Sequence, residues 1–205
     1  MIHVPIKIEG FVKIFDPNTQ KVFVDKKNAI HYENISISMA NSLANKSIGQ
    51  IYLMSFGNGG SSVDPTGVIT YLPPNITGQN ADLYNPTYAK VVDDKSAANT
   101  DPSRNNLTVL HTTGTVYTDI LVSCLLDYGE PAGQQAFDNS TNFNDEYVFD
   151  ELGLKTWNGS PTDLRLITHV IFHPVQKSLN RQIQIDYTVR IQTLTNLSST
   201  KIDIY

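Results

Sequence analysis

From Ile183 to Gln192 the side chains alternate without a break: Ile183, Ile185, Tyr187, Val189 and Ile191 against Gln184, Asp186, Thr188, Arg190 and Gln192. A period of two puts the first set on one face of an extended chain and the second on the other, whereas a helix would scatter both around its axis. This stretch therefore predicts a half-buried strand. Such a strand needs neighbours that also turn one apolar face inward, and the remainder of the chain supplies them.

At the N-terminus Ile6, Ile8, Val12 and Ile14 alternate with Lys7, Glu9 and Lys13. Asp16-Pro17-Asn18-Thr19 has turn chemistry, because proline presets φ and Asp or Asn bonds back to the backbone. Residues 21–24 then read as the return strand of a hairpin. The spacing predicts one helix over about 33–47: Ile35, Met39 and Leu43 fall at i, i+4 and i+8, Ala40 and Ala44 widen the apolar side, and Asn34, Ser38, Asn41 and Asn45 form a polar stripe. Residues 51–56 read as a short buried strand ending at Gly57-Asn58-Gly59-Gly60.

Residues 115–127 alternate Val116, Ile120, Val122, Cys124 and Leu126 on one face. A turn-rich loop follows over about 128–145. Glu151-Leu152-Gly153-Leu154 places a carboxylate beside a glycine, where Glu151 is expected to bridge to backbone or to a basic partner, or Gly153 simply to mark a bulge or close contact. Trp157 to Pro161 reads as a turn, 164–172 as a strand, and 201–205 as a last short strand open also to pairing with a neighbour's edge. The class is mainly β: an antiparallel β-sandwich with one helix and long ordered loops, forming a single β-rich domain over 1–205.

Residues 57–105 stand apart. They are rich in Gly, Pro, Asn and Asp and have no sustained period, and so long a loop is unusual inside a compact domain. Yet Tyr71, Leu72, Leu83, Tyr84, Tyr88 and Val91 recur through it, and a disordered linker lacks such anchors. The stretch reads as an ordered arm whose apolar residues seek a partner surface, on its own domain or on a neighbouring subunit. These six residues are the candidate interface.

The chemistry-bearing residues form no catalytic set. His169 and His173 have metal-ligand spacing for a helix, but on a strand residues four apart lie roughly 13 Å from each other at about 3.3 Å per residue. Cys124 sits among apolar neighbours and reads as a buried, inert thiol. Asp138 to Asn142 begins like a calcium loop but has Phe143 where glycine is needed and Phe149 where glutamate is needed. That leaves only Asp138, Asp145 and Glu146 as weak cation donors. Glu130 and Glu151 lack any motif that would make them a glycosidase pair. No catalytic residue, cofactor or metal site is expected. The net charge of −5 and the absence of basic clusters point away from nucleic acid. No apolar run approaches the roughly 20 residues that span a bilayer, so no membrane partner is expected either. Charged residues are 17% of the chain, and Asn, Ser, Thr and Gln take their place, a surface suited to close packing in an assembly.

Three stretches carry a family likeness. Tyr52-Leu53-Met54-Ser55-Phe56-Gly57-Asn58-Gly59-Gly60 resembles the strand leading into Phe-Gly-x-Gly near the start of many phage tail-fibre-attachment and other virion domains. Glu151-Leu152-Gly153-Leu154, the 166–172 strand, Lys177 and the 183–191 strand resemble the second half of that pattern. Tyr71 to Asn75 and Gly78 to Asn85 resemble structural proteins of large contractile-tailed phages. Together the likeness covers about two thirds of the chain, while the N-terminal hairpin and helix and most of the 57–105 arm depart from the fibre-attachment pattern. The resemblance implies a non-enzymatic virion subunit, made in the host bacterial cytoplasm, that assembles with itself and with other virion proteins at the neck, collar or head exterior. A tail-fibre or baseplate adapter is the alternative within that family, and a carbohydrate-binding β-sandwich the alternative outside it.

Overall fold

The computed structural model describes residues 6–132 and 147–193. Strand is the dominant structure, and one helix is present among the described residues. The strands are β1 (Ile6–Phe15), β2 (Val22–Ile30), β3 (Ile51–Gly57), β4 (Ser61–Val63), β5 (Ile69–Tyr71), β6 (Pro86–Val91), β7 (Asn106–Leu110), β8 (Tyr117–Leu126), β9 (Val148–Ser160), β10 (Asp163–Leu166), β11 (Thr168–Gln176) and β12 (Ile183–Thr193); the helix α1 is Tyr32–Leu43. Every pairing is antiparallel.

All but β4 and β5 belong to one sheet, in the order β6-β3-β9-β11-β2-β1-β12-β8-β7, with β10 beside β9. Its middle is thin. β2 and β11 are joined only through Thr168 opposite Ile30 and His169 opposite Ala29. At that seam the sheet turns a corner and curls on itself, so that two wings face each other across one core. Val12, Val24, Val122, Cys124, Ile185 and Tyr187 come from the wing of β1, β2, β8 and β12. Met54, Phe56, Leu152, Leu154, Val170 and Phe172 come from the wing of β3, β9 and β11. The mainly β class expected from the sequence holds, as a curled antiparallel sheet.

β12 has the alternation its sequence dictates, with Ile183, Ile185, Tyr187 and Val189 buried between half-buried polar residues. It lies between β1 and β8, whose apolar faces point the same way. Cys124 is fully buried, and burial pushes its thiol up to about 12, which keeps it a neutral small hydrophobe.

Four local expectations are revised. The helix stops at Leu43 rather than near 47, since Asn45, Ser47 and Gly49 take positive φ and turn the chain away. Its polar stripe points inward: Asn34 and Ser38 are buried with Ile35, whereas Leu43 is 86% exposed. Trp157 lies within β9, and the turn comes after Ser160. The strand expected over 164–172 is two, parted at Ile167, and β11 runs on through Pro174 by way of a register shift between Ile171 and Val175; strand prolines are tolerated at such bulges. β7 lies within the stretch between the arm and residue 115 that the periodicity left unassigned. The calcium-like stretch at 138–146 and the strand expected at 201–205 lie outside the described residues.

Candidate functional site

The arm is fastened to its own chain by buried polar side chains. Glu151, on β9, is fully buried, and its two carboxylate oxygens collect four donors. Oε1 accepts from the backbone N–H of Gly59 (3.0 Å) and Asn85 (2.8 Å); Oε2 accepts from the N–H of Tyr84 (2.9 Å) and from His169 Nε2 (3.0 Å). His169, equally buried on β11, takes the N–H of Asn75 on its Nδ1 at 2.8 Å. That bond sets the tautomer: Nδ1 is the acceptor, so Nε2 carries the proton it donates to Glu151. Asp150, next along β9, accepts from the N–H of Gly60 and Ser61 and from the Ser61 hydroxyl.

The glycines explain why the Phe56-Gly57-Asn58-Gly59-Gly60 sequence suits this place. A Cβ on Gly57 would lie 2.5 Å from Glu151 Oε1 and from the Asn85 carbonyl, and one on Gly59 would lie 2.7 Å from the Asn85 nitrogen. Only bare backbone passes the carboxylate this closely. Gly153, two residues further along β9, admits a different neighbour: a Cβ there would meet the Thr168 carbonyl at 2.6 Å and Leu166 at 2.5 Å. Glu151 thus bridges to backbone as expected, and Gly153 marks a close contact.

A second fastening sits at the start of α1. His31 caps the helix, its Nδ1 accepting from the Asn34 N–H, and its Nε2 donates to the Gly78 carbonyl at 2.9 Å. Asn34 Nδ2 donates to the carbonyls of Leu166 (2.9 Å) and Gln79 (3.2 Å). Further along, Lys155 pairs with Asp82 at 2.6 Å.

Burial pushes the Glu151 carboxyl up, but the bonds from His169, Asn85, Tyr84 and Gly59 outweigh it and hold the group below the ordinary carboxylate range. Asp150 goes the other way, raised mainly by burial against its own hydrogen bonds and by the charge of Glu151 beside it. Glu151 and His169 therefore form a structural clasp: both are enclosed, and each polar atom is aimed at the arm or at the other.

The six arm residues named from the sequence separate into two groups. Leu83 is buried, Tyr88 packs its ring against Phe56, and Val91 pairs with Leu53 as part of β6; Val92, just beyond, is fully buried. These three anchor the arm on its own sheet, so their apolar area is spent within the chain. Tyr71, Leu72 and Tyr84 stay 41–48% exposed. They are nonetheless held: the Tyr71 hydroxyl is 3.3 Å from His173 Nδ1, and the Tyr84 hydroxyl donates to the Pro73 carbonyl at 2.7 Å. Tyr71 and Leu72, with Pro74, form one wall of a surface cleft of about 440 Å³, and Lys26 to Ala29 of β2 and 169–173 of β11 form the others.

The remaining candidates fall apart in space. His169 faces Glu151 in the interior while His173 is at the surface beside Tyr71. Glu130 pairs with Lys90 near β6, and Glu151 is committed to the clasp. Among the described residues no group of His, Cys, Asp or Glu is placed to hold a metal ion, and no helix is long and apolar enough to cross a membrane. Trp157, half-buried, packs its ring on Tyr52, with centroids 4.8 Å apart. The sequence shows half of the clasp, Glu151 beside Gly153, but the partners of Glu151 lie 18, 66, 67 and 92 residues away. No protein-family model, curated protein or solved structure matches this chain.

Proposed function

We propose that this chain is a non-enzymatic structural subunit of a tailed-phage virion that works by assembling with other virion proteins at the neck, collar or head exterior. Support for the virion setting comes from the sequence resemblance. The observation that carries the assembly role is the clasped arm. An irregular, turn-rich segment is pinned by buried Glu151, Asp150, His169, His31 and Asn34, and it presents Tyr71, Leu72 and Tyr84 at the surface already positioned. Ordering such side chains beforehand removes part of the entropy that association otherwise costs. Tyrosines joining apolar area to a hydroxyl are favoured anchors at interfaces.

The test is incorporation into particles. Tyr71→Ser with Leu72→Ser strips apolar area from the cleft wall without touching the clasp, so thermal unfolding should move little, as for other exposed sites. In cells where this variant is the only copy, purified particles should contain far less of the subunit than wild-type particles do. Incorporation at the wild-type level would remove the arm from the interface. Absence of the wild-type chain from purified particles would sink the virion reading itself.

A further inference from the structure

The two ends of the sheet are treated differently. β6, at one end, begins with Pro86 and carries Lys90, whose ammonium bonds the Leu125 carbonyl and pairs with Glu130; Pro131 and Ala132 lie beside Thr87 and Tyr88. Proline, a lysine and a covering segment are the ordinary means of stopping an edge strand from pairing. β7, at the other end, has no proline or lysine of its own and no covering segment among the described residues. Its sequence is Asn106-Leu107-Thr108-Val109-Leu110, with neither charge nor proline, and β8 is its one strand neighbour among the described residues. Val109 is 69% exposed and Leu110 48%.

We infer that β7 is a self-pairing edge, and that a second copy of this chain joins it there as an antiparallel strand about a two-fold axis through Thr108. In that register Leu107 faces the partner's Val109, Thr108 faces the partner's Thr108, and Asn106 faces the partner's Leu110. Leu107 and Val109 also line an apolar groove of about 350 Å³ between α1 and the sheet, together with Met39, Leu43, Ile120 and Ile191. A two-fold normal to the sheet keeps faces matched, so the groove's apolar face continues into the partner's. Charge permits it as well. The nearest ionised side chain on the preceding turn, Arg104, is already paired with Asp101 and Asp127 and falls opposite the partner's Thr112, so no like charges meet. Five paired residues a side fall short of the roughly 1,200 Å² that lasting complexes bury, so the dimer is reversible and concentration-dependent.

Three variants of the full chain test this, each compared with wild type by light-scattering mass and thermal unfolding. Wild type should shift with concentration from 22.8 kDa toward twice that mass. Thr108→Lys sets two ammonium groups opposite each other on the axis and should hold the chain at monomer mass with its unfolding temperature unchanged. Thr108→Cys brings two thiols together across the axis, while the native Cys124 is buried and stays out of the reaction. It should form a disulfide dimer at least tenfold faster than Thr162→Cys, an exposed cysteine placed away from β7. Equal rates for the two cysteines, a wild-type monomer throughout, or a dimer that survives Thr108→Lys would each overturn the inference. So would a chain cut after Thr193 that dimerises where the full chain does not, because residues 194–205 would then be the occupant of the edge. Particle incorporation is a separate readout, and its loss or retention leaves this result standing.

Discussion

At Glu151 a single carboxylate does what a short stretch of strand would do elsewhere. It satisfies three backbone N–H groups of a segment that has no ladder of its own there, and so allows irregular chain to lie against a sheet without leaving buried donors unpaired. Glu151→Gln keeps the shape but turns an amide N–H₂ toward donors and removes the charge that His169 faces. Urea unfolding should show a loss on the order of 1–3 kcal/mol, the cost of leaving buried backbone donors without their acceptor. A loss under 1 kcal/mol would mean the clasp is incidental. The pH dependence follows from the opposed shifts of the two neighbours. Glu151 is depressed in the folded chain, so its contribution is complete above about pH 4.5 and is lost as pH falls through the folded value. Asp150 is raised, so the folded chain takes up its proton first and its contribution grows as pH falls. Glu151→Gln should therefore flatten the acid limb of a stability–pH curve, and Asp150→Asn should steepen it.

Among the elements, α1 shows how tertiary partners override a periodic pattern. Ile35, Met39 and Leu43 make a regular apolar stripe, yet the sheet receives the neighbouring stripe as well: Asn34 bonds the Leu166 carbonyl, and the Ser38 hydroxyl lies 2.8 Å from that of Thr156. Leu43 points away at the rim of the apolar groove. The energetic ranking is then the reverse of what hydrophobicity alone predicts. Asn34→Ala leaves the Leu166 carbonyl buried without its donor and should cost about 1–3 kcal/mol. Leu43→Ser, on the same helix, should stay within about 0.5 kcal/mol. Parallel denaturant titrations of the two variants decide it; a costlier Leu43→Ser would restore the apolar stripe as the packing face. The arm likewise holds less independent surface than its composition implied. Its second half closes on itself and on β8 through Asn99, Asn105 and Asp101, with Asn105 Oδ1 accepting the N–H of Leu125 at 2.9 Å.

On the scale of the whole molecule, the two wings share a core but touch along the sheet through only two residue pairs at the β2–β11 seam. Tyr187 of β12 reinforces that seam, its buried hydroxyl meeting the Asn28 side chain of β2 on one side and the Thr168 side chain of β11 on the other. Neither wing can bury its apolar face without the other, so unfolding should be a single transition despite the narrow hydrogen-bonded seam between them. Trp157 makes this measurable. It is the one tryptophan, and it sits in β9, so its fluorescence reports one wing while far-UV circular dichroism reports both. The two denaturation curves should coincide. Separate midpoints would mean the wings fold independently and that the shared core contributes little.

The mainly β class, the hairpin of β1 and β2, and the strands at β3, β8 and β12 were all legible in sequence, because a half-buried strand writes its two faces into alternate residues. So was the burial of Cys124, set among Val122 and Leu126. What periodicity cannot carry is identity of partners. It did not distinguish the buried Asn34 and Ser38 from solvated ones, since a polar residue looks the same whether water or a carbonyl satisfies it. It could not place Trp157 in a strand, since Asn158-Gly159-Ser160-Pro161 imitates a turn one step early. It left β7 out, since at this sheet edge Val109 and Leu110 are adjacent and both exposed, so no alternation of faces is written there. The arm was recognised as ordered, but its partner was decided by residues far along the chain: Glu151, Asp150, His169 and His31 reach it only after the sheet has curled. Local sequence sets which faces are apolar; only closure of the sheet brings a carboxylate, an imidazole and three peptide N–H groups to one point.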